Sequence, residues 1–431
     1  MAAFVCLTPD DAIRREISQL EQNYWDFSSA NTKEWTHGYH PYPAMMIPQV
    51  ARSLIHLILK HQPRTKRLFD PFMGSGTSLV EGLVAGLEVT GSDLNPLSHL
   101  LASVKTRVWD PDVLQTAFAK IVTYYRSQGV TETDWPQFEN LLYWFKPPVI
   151  DDLTRLKKSI EGCDEEVRAF FWVAFSATVR HVSNSRNQEF KLYRLDEKRL
   201  ALWNPDVLET FGRIVQRNLL GNKELWQRQP LPSVRLLQDN AMDLRSVEDS
   251  SVDLMLTSPP YGDSRTTVAY GQFSRLSLQW LNLPADSIEP HRVDQSLLGG
   301  KTVKAVNCWS LLPSPTLNQA LSVIAQRDSR RARDVLAFYL DLDRSLKEIA
   351  RVMRPGGFQC WVVGNRRVKE VQLRTDQMIC ELSEPYGLSH VATIRRRIPN
   401  KRMPKENSPT NRTGQKAETM TEEHIVILRK E

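Results

Sequence analysis

Cysteine is scarce and unpatterned in this chain: Cys6, Cys163, Cys308, Cys360 and Cys380 are scattered, and none falls in a CxxC pair. That argues against a zinc site and a disulfide framework, and for a reducing compartment. No apolar stretch approaches the roughly eighteen residues that a membrane span needs. The opening Met1-Ala2-Ala3-Phe4-Val5-Cys6 has no basic segment and meets Asp10-Asp11 too early for a signal peptide. A soluble intracellular protein is expected. Internal repeats and extended low-complexity tracts are missing. So is GxGxxG, and no lysine follows the glycines as in a P-loop, which disfavours a dinucleotide or a nucleoside triphosphate. What is present is length and a modest basic excess. The 431 residues suffice for one large α/β domain with inserts or for two domains. The net charge of +6 suits a polyanionic partner without demanding one.

Two segments carry chemistry. Val252-Asp253-Leu254-Met255-Leu256 reads as a short buried strand, and it stops in Thr257-Ser258-Pro259-Pro260-Tyr261. Neither proline has an N–H and both fix φ near −65°, so the loop is stiff. Its hydroxyl, its carbonyls and one aromatic face suit a planar substrate carrying an NH₂ group: Ser258 and the Pro259 carbonyl accept the two hydrogens, and Tyr261 stacks. A bland Pro-Pro turn after a core strand is the alternative. The second segment is Arg67-Leu68-Phe69-Asp70-Pro71-Phe72-Met73-Gly74-Ser75-Gly76-Thr77, a strand, a glycine turn and a helix start. Gly74 and Gly76 allow positive φ and close approach of a ligand, and the helix start favours an anion such as a carboxylate. Asp93 ends the next strand about twenty positions on, placed to hold ribose hydroxyls in a doubly wound fold. Asp70 either orients the glycine loop or accepts from the ligand's amino group. Asp239, ending the strand from Ser233, is a candidate acceptor for an adenine NH₂, with Asp243 as a competitor.

Together these residues resemble the amino-methyltransferases of DNA, which use S-adenosylmethionine. The run from Asp70 to Thr77, Phe72 included, is similar to that family's cofactor loop. Thr257 to Tyr261 is similar to its catalytic loop, in the serine version more often associated with cytosine N4 than with adenine N6. Tyr39-His40-Pro41-Tyr42-Pro43-Ala44 resembles the segment closing over the cofactor's methionine end, although His40 and Tyr42 could equally pack an N-terminal arm on the sheet. Arg354-Pro355-Gly356-Gly357 resembles the turn before the strand that follows the catalytic one. The likeness covers most of the chain except roughly 110–230 and 265–330.

The resemblance implies transfer of methyl from S-adenosylmethionine to the N4 amine of a flipped cytosine, leaving S-adenosylhomocysteine, with no metal and no covalent cysteine. The substrate is then double-stranded DNA at a specific site in a bacterial or archaeal cytoplasm. The enzyme is the modification half of a restriction-modification system whose cognate endonuclease acts separately. Methylation of adenine N6 is the alternative. Methylation of structured RNA is a more distant one, since such enzymes usually carry an acid before Pro-Pro-Tyr and a separate RNA-binding module.

The organisation expected is α/β: a Rossmann-like methyltransferase sheet, mostly parallel with an antiparallel edge strand, helices on both faces, and an inserted helical subdomain. Residues 1–108 form an N-terminal arm and the cofactor-binding half. Residues 109–230, helical, aromatic and basic, form the insert, a candidate for target recognition. Residues 231–431 form the catalytic half, with a further insert near 262–330 and a basic loop near 395–405. Arg186 in the polar run 180–191, Arg265 just after the catalytic loop, and Arg396, Lys401 and Arg402 of the basic loop are candidate DNA contacts.

Overall fold

Short apolar runs with alternating burial assemble into one sheet. Its strands are β1 (Arg67–Asp70), β2 (Glu88–Ser92), β3 (Val234–Leu237), β4 (Val252–Thr257), β5 (Met353–Val363), β6 (Leu388–Arg397) and β7 (Glu422–Lys430). The computed structural model describes residues 7–431 apart from 188, 264–266, 282–287, 305–307, 399–405, 408–416 and 419; at 406–407 and 417–418 it describes the backbone only. The seven strands lie in the order β3-β2-β1-β4-β5-β7-β6. Strand β7 runs antiparallel to both its neighbours and the remaining pairings are parallel. The antiparallel strand thus sits one place in from the edge, with β6 outside it.

Alternation divides each strand between two cores. Leu68, Leu254, Leu256, Cys360, Ile425 and Ile427 pack with the helices Pro48–His61 and Thr77–Val84. Phe69, Met255, Trp361, Val363, Val426 and Leu428 face the other way, against Pro315–Arg327, Ser329–Val352 and Thr375–Ser383. All six residues of β4 are buried, as expected of a central strand covered on both faces. The Pro-Gly-Gly segment expected as a turn lies inside β5 instead. It begins at Met353 and shifts register against β4 while Gly356 takes φ +78°.

Residues 109–230 fold largely as helices, Pro111–Ser127, Pro147–Glu161, Glu165–Val182 and Val207–Trp226 among them. They enclose a third core, in which Phe145, Phe170, Phe171 and Phe175 are buried. Much of the aromatic content of this stretch is therefore packing. The same core takes in Leu97 and Leu101 from the helix Pro96–Lys105, and Phe273 and Trp280 from Tyr270–Trp280, so the helical layer is joined to the sheet beside the site. Among the described residues no helix is long and apolar enough to cross a membrane.

One close approach fixes that joint. A Cβ at Gly221, inside the helix Val207–Trp226, would lie 2.0 Å from the Trp35 carbonyl oxygen. Helix propensity alone favours alanine there by about 1 kcal/mol. Gly221→Ala should instead destabilise by about 1–3 kcal/mol, because the Trp35 turn must move; urea denaturation decides the sign.

Candidate functional site

The sheet order reverses between β1 and β4, so the loops leaving their carboxyl ends part and open a crevice. A cleft of about 820 Å³, open solvent at its mouth included, lies there. Asp70, Phe72, Gly74 and Thr77 line it from the glycine loop. Asp93 reaches it from β2, Asp239 from beyond β3, Ser258 and Pro260 from beyond β4, and Tyr42 from the N-terminal arm. Residues 190 positions apart in sequence meet in one cavity.

Local chemistry explains each wall. Asp70 is 2% exposed and accepts from Phe72 N–H at 3.0 Å, from Thr257 Oγ1 at 2.6 Å and from the Ser78 hydroxyl. These are the bonds of a residue that orients the loop, the first of its two expected roles. Burial pushes its carboxyl up to about 6, against the hydrogen bonds from Ser78 and Thr257. Asp93, half-buried, accepts from Gly74 N–H at 3.0 Å and Asn95 N–H at 2.8 Å. Burial lifts it too to about 6, opposed by those backbone donors. Gly74 has φ +48°, and a Cβ there would sit 3.3 Å from the Tyr42 ring. Gly76 has φ +78° and packs on Ala102; it does not line the cleft. Beneath the loop Lys105 is buried with Nζ 3.4 Å from Ser75 Oγ, and burial pushes its ammonium down to about 7.

The strand ends share a device. Asp70, Asp93 and Asn240 each accept the N–H two residues on, from Phe72, Asn95 and Met242, which is the Asx turn. Asn240, rather than Asp239, takes this place after β3. The Asp239 carboxylate accepts instead from Ser246 N–H at 2.8 Å and Ser246 Oγ at 2.9 Å. Its carbonyl accepts from Ser92 Oγ at 2.6 Å. Asp239 borders the cleft chiefly as a loop brace.

Other candidates stand elsewhere. His40 does not line the cleft: it is buried against Phe273, and burial lowers its imidazole to about 3. The arm-packing alternative describes it. Tyr42 does line the cleft, with its hydroxyl 2.6 Å from Ser98 Oγ and accepting from Asn95 Nδ2 at 3.2 Å. Pro259 and Tyr261, on either side of Pro260, are not among the lining residues, and Tyr261 donates to Glu423 at 2.9 Å. Arg186 is half exposed, paired with Glu189 at 3.3 Å. Arg396 is no surface contact. Strand β6 extends to Arg397, and its alternation turns Arg395 and Arg397 outward but Arg396 inward, where it is 2% exposed and paired with Glu423. Arg265, Lys401 and Arg402 lie outside the described residues.

Sequence reasoning missed Asn95, Tyr270, Asn240, and Leu297 and Leu298 of the second insert, all on the cleft wall. Asn95 had a local signal: it precedes a proline at a helix start and caps it, accepting from Leu97 N–H at 3.1 Å. Its amide also donates to Ser274 Oγ at 2.8 Å. The insert residues carried none, since only the tertiary fold brings them there.

The donor set fits a ligand with both vicinal hydroxyls and apolar surface. The Asp93 carboxylate borders the cleft beside Tyr42, Met45, Leu94 and Leu298. No family model matches the chain. Among known proteins, Type II methyltransferase M.MvaI of Kocuria varians is 44% identical over 438 residues, 97% of this chain and 96% of its own. Type II methyltransferase M.MjaII of Methanocaldococcus jannaschii is 37% identical over 91 residues, 20% of this chain and 17% of its own. Type II methyltransferase M.BsoBI of Geobacillus stearothermophilus is 22% identical over 266 residues, covering 54% and 50%.

Asp70 gives a pH test. Its folded value near 6 exceeds the unfolded 3.8, so its contribution to stability is fully present below about pH 4 and lost as pH rises through about 6. From pH 7 to 5 it should stabilise the wild type by about 1 kcal/mol relative to Asp70→Asn. Urea denaturation of both proteins at the two pH values checks the sign and size.

Proposed function

The chain belongs to the Type II methyltransferases, and from that premise we propose that it transfers methyl from S-adenosylmethionine to the exocyclic N4 amine of cytosine at a specific site in double-stranded DNA. It acts in the cytoplasm as the modification enzyme of a restriction-modification system, the cognate endonuclease being a separate protein. One observation supports this above the others: the Ser258 hydroxyl and the Asp93–Gly74 loop border a single cleft.

S-adenosylmethionine, when bound, supplies a methyl group already activated by its sulfonium. Asp93 holds the ribose hydroxyls, the Gly74 loop and the start of the helix Thr77–Val84 face the carboxylate, and Tyr42 closes the apolar side. Asn240 or Asp239 takes the adenine amine. What the chain must add is nucleophilicity, because an aromatic amine shares its lone pair with the ring. Ser258 Oγ and the Pro259 carbonyl accept the two N–H hydrogens and draw nitrogen toward tetrahedral geometry. Positive charge growing on nitrogen then meets dipoles already aligned, stabilisation of the preorganised kind. The proline pair keeps those dipoles in place. A duplex base cannot reach the cleft, so it is flipped out at a cost of a few kcal/mol. Arg186, Arg265, Lys401 and Arg402 contact DNA in this reading, and the 109–230 helices read the target. Arg396 is withdrawn from it.

Incubation of duplex DNA with labelled S-adenosylmethionine, followed by nucleoside analysis, should give N4-methylcytosine. N6-methyladenine as the sole product refutes the cytosine assignment, and label in RNA alone refutes the DNA assignment. Ser258→Ala should lower kcat about 10²–10³-fold while cofactor Kd stays within about twofold. Cofactor binding that needs ionised Asp93 should weaken about tenfold for each pH unit below about 6. Titration calorimetry from pH 5 to 8 reads this, and Asp93→Asn should flatten the profile.

A further inference from the structure

We infer that Glu423 is a positioning residue that fixes the direction in which the Ser258 hydroxyl points. The inference rests on the amine-methylation reading above. Four side chains run in a line back from the cleft. Ser258 Oγ lies 3.4 Å from the Tyr261 hydroxyl, Tyr261 donates to Glu423 Oε1 at 2.9 Å, and Glu423 Oε2 accepts from Arg396 Nη1. Arg396 is anchored in turn, its Nε donating to the Trp25 carbonyl at 2.8 Å.

The polarity of the line follows from its buried end. A guanidinium can only donate and an ionised carboxylate can only accept. Arg396 occupies one oxygen of Glu423, and the other takes the single hydrogen of the Tyr261 hydroxyl. Tyr261 oxygen is then left as an acceptor. The Ser258 hydrogen turns back toward it, and the serine lone pairs face the cleft. An incoming N–H needs that orientation; a serine free to rotate would present its own hydrogen to the amine part of the time. At 3.4 Å the last link is long, so it biases the hydroxyl rather than locking it. Burial, with the charge of Glu423, keeps the Tyr261 phenol well above its usual range, so it stays protonated and able to donate. The ring lies against Gly364, where an added Cβ would come within 2.8 Å of it, so the hydroxyl has little freedom to swing away.

Glu423→Gln tests this with almost no change of shape. Arg396 will claim the amide oxygen, leaving the NH₂ group to face Tyr261. That group can only donate, so the tyrosine hydrogen must turn toward Ser258 and the whole line reverses. Single-turnover methyl transfer to duplex DNA by the full chain should slow about tenfold, with cofactor Kd unchanged. Tyr261→Phe removes the link without reversing it and should cost less. In the Tyr261→Phe background, Glu423→Gln should cost nothing further, because the two act through one path. Glu423→Gln at the wild-type rate, or a loss that persists at full size in the Tyr261→Phe background, overturns the inference. Should Glu423→Gln fail to fold, Tyr261→Phe on Ser258→Ala replaces it: no added loss supports the line, an additive loss refutes it. A wild-type protein that transfers no methyl to DNA overturns the methylation reading itself, whereas an active wild type with an equally active Glu423→Gln overturns the positioning role alone.

Discussion

Thr257 Oγ1 donates to Asp70 at 2.6 Å, inside the sheet and away from solvent. This bond joins the last residue of β1 to the last residue of β4, at the point where the strand order reverses. Gly74 follows four positions after the one and Ser258 directly after the other, so the bond sets the separation of the two loops. The same carboxylate holds Phe72 N–H and the Ser78 hydroxyl, which fixes the turn and the helix start together. Burying a carboxylate is unfavourable, as its rise to about 6 records. Three donors offset that cost, and the result is a rigid floor under the cleft.

The walls repeat the device with less burial. At or just beyond the end of each of the three strands on the cofactor side, an Asp or Asn accepts the backbone N–H two residues ahead. Such turns stiffen the loop that must meet a ligand, while leaving lone pairs on its inner side. Behind β4 the support is ionic instead. Arg396 and Glu423 lie on neighbouring strands β6 and β7 and pair across the ladder. A buried charge pair of this kind adds little net stability. Its value here lies in giving a directed end to the hydrogen bonds that lead to Ser258.

Much of this was legible in the chain because the relevant signals are local. A strand that ends in Asp before a glycine turn, an acid some twenty residues on, and a hydroxyl before two prolines are all short-range patterns. The structure brings those three segments to one cleft. The errors came where local pattern underdetermined packing. Arg396 belonged to a basic run read as a DNA contact, but the run begins inside β6, and one step of alternation put it in the interior. His40 sat in a motif beside Tyr42, yet only Tyr42 turns to the cleft. Asp239 was weighed against Asp243, and it does border the cleft, but the Asx turn after β3 is made by its neighbour Asn240. Tyr270, Leu297 and Leu298 reach the wall from an insert whose sequence carries no signature for it.

The central claim is that donor and acceptor chemistry share one cleft on the Asp70–Thr257 floor. A structure of the full chain with S-adenosylhomocysteine bound tests it most directly. The account predicts the sulfur facing Ser258, with room for one methyl group and one amine between them, a separation on the order of 6–7 Å. Sulfur directed away from Ser258, or cofactor density outside the walls formed by Asp93 and Tyr42, would contradict it.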